Sequence, residues 1–281
     1  MERFIGWSIW YGSKDVEKEL AKLLENGFNY LEISLDYPWP FDENRLSHII
    51  SKAKDLGFKV AFHGPWRDIR LASPHRIISE ASRTILGKVI DLAAKYEPEY
   101  FNAHLLSEEI TFDEKVKNEV LREARKAVHF LQKITEEKGI TITIENNPHG
   151  YFSLPSHFND LGSLDSLYFC LDIGHAMVAY FNVGERSFDA ISVAKEWINI
   201  VGNNRILTLH LHDVIQSGRM LLNHYFFGCG IVNLEKLCKF LCKNIDAKFM
   251  LLELFHKDKN VKHISEKEAV KIIQKYCLKL R

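Results

Sequence analysis

"RILTLHLHDV", residues 205–214, is the stretch that decides the fold. Its body is apolar through Ile206, Leu207 and Leu209, as expected of a strand covered on both faces. Its tip is polar: His210, His212 and Asp213. A buried strand with a chemically active end belongs to folds whose strand termini meet at a functional surface. The rest of the chain repeats this pattern.

Short apolar runs alternate with amphipathic segments along all 281 residues. "FIGWSIW" precedes "DVEKELAKLLENG", and "YLEISL" precedes "ENRLSHIISKAKDLG". "KVAFHG", "YFNAHL" and "ITITIENN" follow, the last with only a weak helical piece, "HFNDLGSL", after it. "LYFCLDIGH" precedes "SFDAISVAKEWINIVG". The opening stretch precedes "NLEKLCKFLCKNI", and "KFMLLELF" precedes "SEKEAVKIIQKYCLKL". Gly27 and Gly57 stand where helices need a C-cap. Eight strand–helix units predict an α/β chain folded as one domain over residues 1–281, a (β/α)8 TIM barrel. A doubly wound open sheet is the alternative. No GxGxxG or GxxxxGK[ST] loop follows a strand, so no nucleotide cofactor is expected.

The charges balance at 37 basic and 37 acidic residues, which points to no partner class on electrostatic grounds. No apolar run reaches membrane-spanning length, and "MERFIGWSIWYG" has no signal-peptide pattern. The five cysteines are odd in number and form no CxxC pair, so the expectation is free thiols in a reducing cytoplasm.

In a barrel the active site lies at the C-terminal strand ends. Those ends carry His63, His104, Glu145, Asp172 with His175, His210 with His212 and Asp213, and Glu253. His224 follows in the loop after strand seven. Any one of these alone is more often a satisfied core polar group than a ligand. Together they bury several carboxylates with too few arginines or lysines nearby to compensate. Mixed imidazoles and carboxylates instead match divalent cations, zinc above all. Glu145, Asp172, His210 and Glu253 can surround one ion. Glu145 can bridge to a second held by His63 and His104, which leaves His175 and His224 for a third.

These motifs resemble the xylose isomerase-like barrel superfamily, which includes endonuclease IV and sugar-phosphate isomerases and epimerases. "HGPWRDIRLAS" is similar to HxxYLINLAS, which implies His63 as a ligand and Trp66 as an aromatic that contacts DNA. "NAHL" and "IENN" match the positions of His104 and Glu145. "LDIGHA" resembles LDTCHA, implying Asp172 and His175 as ligands. "LHLHD" resembles MHLND, implying His210 as a ligand and leaving His212 where the family has Asn. "NHYFFGCG" resembles DxHHxxGxG, with His224 as ligand, and "LLEL" supplies Glu253. The chain departs from this pattern at Leu222, where the family has a carboxylate for the third ion. It also lacks the N-terminal DNA-penetrating segments of endonuclease IV. "NYLEISLDYPWP" is closer to the sugar isomerase branch and makes Glu32 a candidate near the mouth.

Trp7, Trp10, Trp39 and Trp66 follow strands one to three and read mainly as packing under loops. Arg67 and Arg219 are candidate phosphate contacts; His212 and Asp213 are expected to stand behind the ligands, with Asp213 orienting one of them. Two enzyme readings emerge. One is an endonuclease IV-like phosphodiester hydrolase with two or three zinc ions, acting on abasic DNA. The other is a one-ion isomerase or epimerase using Mn²⁺ or Mg²⁺ on a small sugar or sugar phosphate. In the second, Glu145 and Glu253 would move protons on opposite faces of the substrate. A non-catalytic metal-binding barrel is the third reading.

Overall fold

The computed structural model describes residues 2–36, 41–107, 113–185, 187–259 and 261–277, so Trp39 lies outside the described residues. Seven parallel strands come first: β1 (Phe4–Trp10), β2 (Tyr30–Ser34), β3 (Lys59–His63), β4 (Phe101–His104), β5 (Ile142–Glu145), β6 (Leu167–Asp172) and β7 (Ile206–Leu211). Next, β8 (Asp213–Ser217) and β9 (Met220–Tyr225) pair with each other as an antiparallel hairpin. β10 (Phe249–Leu252) then closes the barrel, whose strand order is β1-β10-β7-β6-β5-β4-β3-β2. Closure between β10 and β1, with Phe4 opposite Phe249 and Trp7 opposite Leu252, rules out the open doubly wound sheet.

The helices are α1 (Val16–Glu25), α2 (Glu43–Asp55), α3 (Arg76–Ala94), α4 (Glu114–Lys138), α5 (Ile173–Asn182), α6 (Ala190–Val201), α7 (Leu234–Asn244) and α8 (Glu266–Cys277). α1 buries one stripe, Val16, Leu20 and Leu23, at helical spacing, whereas α5 is buried on all sides from Ile173 to Tyr180. Asp42, Asp113, Asp189 and Asn233 accept backbone N–H bonds at the starts of α2, α4, α6 and α7, each cap contributing about 1 kcal/mol. A 3-10 turn, Pro155–Leu161, replaces the weak helix expected after β5. Among the described residues no helix is long and apolar enough to cross a membrane.

Three local expectations are corrected. His175 is on the first turn of α5, because the chain turns helical directly after Asp172, which accepts the His175 N–H. The expected loop after β7 is the β8–β9 hairpin, so His224 sits on a strand. The cysteines are not all free: Cys242 on α7 and Cys277 on α8 form a disulfide, with Cα atoms 5.1 Å apart. These two helices pack side by side and bring together thiols 35 residues apart, a pairing that local spacing does not reveal. Cys170, Cys229 and Cys238 are free.

Two-residue alternation layers the barrel interior. At the bottom an apolar plug joins Phe4, Tyr30, Ala61, Tyr100, Phe249 and Leu251. Gly6 makes room for it, since a Cβ there would lie 2.3 Å from the Tyr30 ring. One step up, Glu32, Asn102, Thr143 and Thr208 are fully buried, with the Thr143 hydroxyl donating to Asn102 Oδ1 at 2.7 Å. At the tips of the strands come His63 and Glu253, one step above Ala61 and Leu251, and His104, Glu145 and His210, one step above Asn102, Thr143 and Thr208, with Asp172 ending β6. The same parity that fills the plug therefore delivers the polar cluster to the upper rim.

Candidate metal centre

Glu145, Asp172, His210 and Glu253 offer ligand atoms that all lie within 4.8 Å of one another, as do His63, His104 and Glu145. His210 Nδ1 is 3.5 Å from Glu145 Oε2 and 3.3 Å from Glu253 Oε2. Among the described residues, every ion-pair partner of Glu145, Asp172 and Glu253 is a histidine. Among the described residues no lysine or arginine pairs with these buried carboxylates.

Hydrogen bonds fix how the imidazoles point. His63 Nδ1 faces the Gly64 carbonyl at 2.7 Å, and a carbonyl only accepts, so Nδ1 carries the hydrogen. His104 Nδ1 faces Asn147 Oδ1 at 3.0 Å. The Asn147 amide group is oriented by donating to the Leu105 and Tyr151 carbonyls. In the neutral rings both Nε2 atoms therefore present lone pairs, and these face each other at 3.3 Å, beside Glu145 Oε2. The same arrangement recurs opposite. His175 Nδ1 faces the Asn146 carbonyl at 3.1 Å and His224 Nδ1 the Glu253 carbonyl at 3.3 Å. Their Nε2 atoms converge at 3.2 Å. Two lone pairs at this distance require an electrophile between them, either a proton or a metal ion.

His210 is held from below. Its Nε2 lies 3.3 Å from Glu32 Oε2, which also accepts the Tyr100 hydroxyl at 2.6 Å. Its Nδ1 is thereby turned toward the carboxylates, and neither it nor Glu253 Oε2 has a hydrogen-bond partner. Two orphaned buried acceptors side by side, together with two facing imidazole pairs, fit divalent cations.

Protonation follows the same geometry. Burial opposes charge on His63, but the hydrogen bond and charge of Glu145 win and lift its pKa to about 9. For His104 burial wins, giving about 4. Burial is likewise overcome by Asp172 and Glu145 at His175, raised to about 9. Burial and the neighbouring His212 take His224 down to about 3. Each facing pair thus keeps one proton when no ion is bound. Burial would raise Glu145 and Glu253, but the surrounding imidazoles hold Glu145 well below the usual range and bring Glu253 to about 2.

The remaining sequence candidates fall in different places. Glu32 is fully buried beneath His210 rather than near the mouth, because its two-residue register puts it a layer below the rim. The Asp213 carboxylate accepts backbone N–H bonds from Val214, Gly228, Gly230 and Val232, tying the segment after β9 to the end of β7. His212 contacts Asp172 at 2.9 Å. Arg219 lies in the exposed turn of the β8–β9 hairpin. Trp66 is 43% exposed and Trp10 48% exposed, so these two stand open at the mouth instead of packing under loops; Trp7 is partly buried. Arg67 stacks over Trp66 at 4.3 Å and pairs with Asp36, whose carboxylate also accepts the Trp66 and Arg67 N–H groups.

Sequence reading missed Asp36, Tyr100, Asn102, Asn146 and Asn147. Asn102 donates to Glu145, and Asn146 exchanges two hydrogen bonds with the Asp172 backbone. Their signal was parity: Tyr100 and Asn102 precede His104 at two-residue steps, and the asparagines directly follow Glu145.

A family model described as "Xylose isomerase-like TIM barrel" matches residues 20–276. The uncharacterised protein MJ1614 of Methanocaldococcus jannaschii is 28% identical over 239 residues, covering 83% of this chain and 90% of that protein. A D-tagatose 3-epimerase-like protein aligns over 97% of this chain and 96% of its own with TM-score 0.74 and 19% identity. Endonuclease IV from Thermus thermophilus aligns over 97% and 98% with TM-score 0.63 and 17% identity. At such identities the two solved structures establish likeness of fold.

Proposed function

The chain belongs to the xylose isomerase-like TIM barrel family, and from that premise we propose that it is an endonuclease IV-like phosphodiester hydrolase built on a multi-ion centre, zinc being the preferred metal. The observation that carries this reading is the His63–His104 pair, whose Nε2 atoms meet 3.3 Å apart beside Glu145. An isomerase working with one ion on Glu145, Asp172, His210 and Glu253 has no use for that pair. Nitrogen-rich donors also favour zinc over magnesium.

Divalent ions bound there would supply Lewis acidity, activate water and stabilise charge on a phosphoryl group. Glu145 offers one oxygen to the His63–His104 pair and stands among Asp172, His210 and Glu253 as well, so it links two ion positions. His175 and His224 form a third position, poorer in charge because Leu222 stands where the family has a carboxylate. Glu32 and Asn147 hold the rings of His210 and His104, so the donors are set before substrate arrives. Trp66, backed by Arg67, offers a stacking face at the mouth, suited to an abasic DNA strand.

A second reading is an epimerase of a small sugar or sugar phosphate. It is favoured by the higher TM-score with the epimerase-like structure and by the completeness of the four-residue ring alone. In it, Glu145 and Glu253 would exchange protons with the substrate, and Mn²⁺ or Mg²⁺ held by the four-residue ring would supply Lewis acidity. Metal content and two activity assays separate the readings. Two or more zinc ions per chain, with nicking of an abasic duplex that a chelator abolishes, support hydrolysis. One exchangeable Mn²⁺ with epimerisation of D-tagatose and an uncut duplex would replace it with the second reading.

A further inference from the structure

Asp172, His175, His212 and His224 offer ligand atoms within 4.8 Å of one another, a spacing that invites His212 into the metal shell. Its hydrogen bonds give it a different job. The His224 backbone N–H donates to His212 Nδ1 at 3.0 Å. The Asp213 carbonyl is farther from Nδ1, at 3.3 Å; a nitrogen that accepts the shorter bond carries no hydrogen, so the ring hydrogen is on Nε2. Nε2 lies 2.9 Å from Asp172 Oδ1 and 3.1 Å from Oδ2. Both ring nitrogens are therefore committed. His210, two residues earlier, differs in one respect: its Nε2 also faces a carboxylate, but its Nδ1 has no hydrogen-bond partner.

Two backbone features support this placement. His224 has φ +59°, a left-handed conformation uncommon for a residue with a side chain, and its N–H meets His212. Gly174 provides the space. A Cβ on it would lie 1.8 Å from His212 Cε1, 2.3 Å from Nδ1 and 2.6 Å from Nε2. The imidazole occupies the volume that any other residue at 174 would fill. In the motifs this chain resembles, the two positions hold Cys and Asn; here a larger side chain at 212 faces a smaller one at 174.

We propose that His212 is a positioning residue: an Nε2–H donor, seated against Gly174, that turns Asp172 toward the ion it shares with Glu145, His210 and Glu253. This rests on the metal-centre reading above. Asp172 is then held through both oxygens: Oδ1 accepts the His175 N–H at 2.6 Å, and Oδ2 meets the His212 Nε2–H at 3.1 Å, which fixes the plane of the carboxylate.

The test uses the full chain loaded with zinc or cobalt(II), measuring metal count, affinity by chelator competition and the cobalt visible spectrum. His212→Ala should keep the wild-type number of ions at saturation and the wild-type cobalt bands. It should weaken one ion by about 10–100-fold, the usual effect of losing a residue that orients a ligand. His212→Asn, whose amide still donates, should recover most of that loss. Gly174→Ala should reproduce the His212→Ala defect alone and add nothing on top of it, since neighbours that share one space do not act additively. Nitrogen-15 imidazole spectra of the wild-type protein should show the His212 hydrogen on Nε2, a measurement that needs no variant to fold. A His212→Ala protein that saturates with one ion fewer, or with shifted cobalt bands, makes His212 a ligand and overturns the proposal. So does unchanged affinity, or a ring hydrogen on Nδ1. A wild-type chain that holds no ion overturns the metal reading itself and this proposal with it; wild-type binding with an indifferent His212→Ala overturns this proposal alone.

Discussion

Raising the pH should tighten metal binding at the His63–His104 position, and the structure sets the size of the effect. An ion there must bond to His63 Nε2, which lies 3.4 Å from Glu145 Oε2 and 3.3 Å from His104 Nε2. In the metal-free protein that nitrogen holds a proton, because Glu145 lifts the His63 pKa to about 9 against the effect of burial. Metal and proton compete for one lone pair. At about pH 7 the proton must be removed roughly two pH units below its pKa, which costs roughly 3 kcal/mol, or about 100-fold in affinity. His104, at about 4, is already deprotonated and adds no cost. Affinity should therefore rise about tenfold per pH unit up to about pH 9 and then level off. Acidification should weaken binding at the same slope, and more steeply once His104 also takes a proton. Zinc titrations against a chelator of known pH dependence measure the slope. Calorimetry in buffers of different ionisation heat counts the protons released, with at least one expected per ion at about neutral pH. Pairing of these imidazoles as ligands is refuted by an affinity that stays flat between neutral pH and the pKa of His63, or by binding that releases no proton.

Glu32→Gln removes the charge that holds His210 Nε2, and should weaken the ion beside Glu253 by about 10–100-fold in the same chelator titration; an unchanged constant would show that Glu32 is only packing. Asp213→Ala leaves four backbone N–H groups, bonded at 2.7–3.0 Å, without their acceptor. At roughly 1 kcal/mol or more apiece the expected loss is about 3–5 kcal/mol in urea unfolding, and a loss below about 1 kcal/mol would deny Asp213 its structural role. Reducing the Cys242–Cys277 bridge, which spans 35 residues, should lower stability by roughly 4 kcal/mol. The non-reduced, denatured chain should show three titratable thiols, and five would mean that the bridge does not form.

The barrel is legible in the sequence because its strands obey two local rules at once: apolar bodies and polar C-terminal tips. The closed sheet and the family match bear out that reading. The rim set from His63 to Glu253 can be listed because each residue ends its own strand, and position along a strand is a one-dimensional property. What the sequence hides depends on contacts between strands. Glu32 looks like a mouth residue until its layer is fixed by Tyr30 packing on the plug and by the reach of Tyr100 across the barrel. By strand parity His210 and His212 look equivalent; the motif resemblance sets them apart, and the physical reason lies in contacts between strands, with Glu32 under the first and the His224 N–H beside the second. Asp213 reads as a partner of its neighbouring histidine, yet its hydrogen bonds run to a segment more than a dozen residues on. The disulfide is hidden for the same reason, since helix packing, not spacing, brings its thiols together.

The seam between β1 and β10 also bears on the order of events during synthesis. The first strand of the barrel can be paired on both edges only after the last one has been made. Glu253, at the end of that last strand, is also the final donor of the rim. An unfinished chain therefore has no complete cage, and partial ligand sets on growing chains would hold cations loosely and exchange them. Tight loading would follow the pairing of β10 with β1 and β7, under whatever free-metal concentrations prevail at that moment. A C-terminal truncation that removes β10 should accordingly lose the ion and the closed sheet together, which makes metal retention a reporter of completed topology.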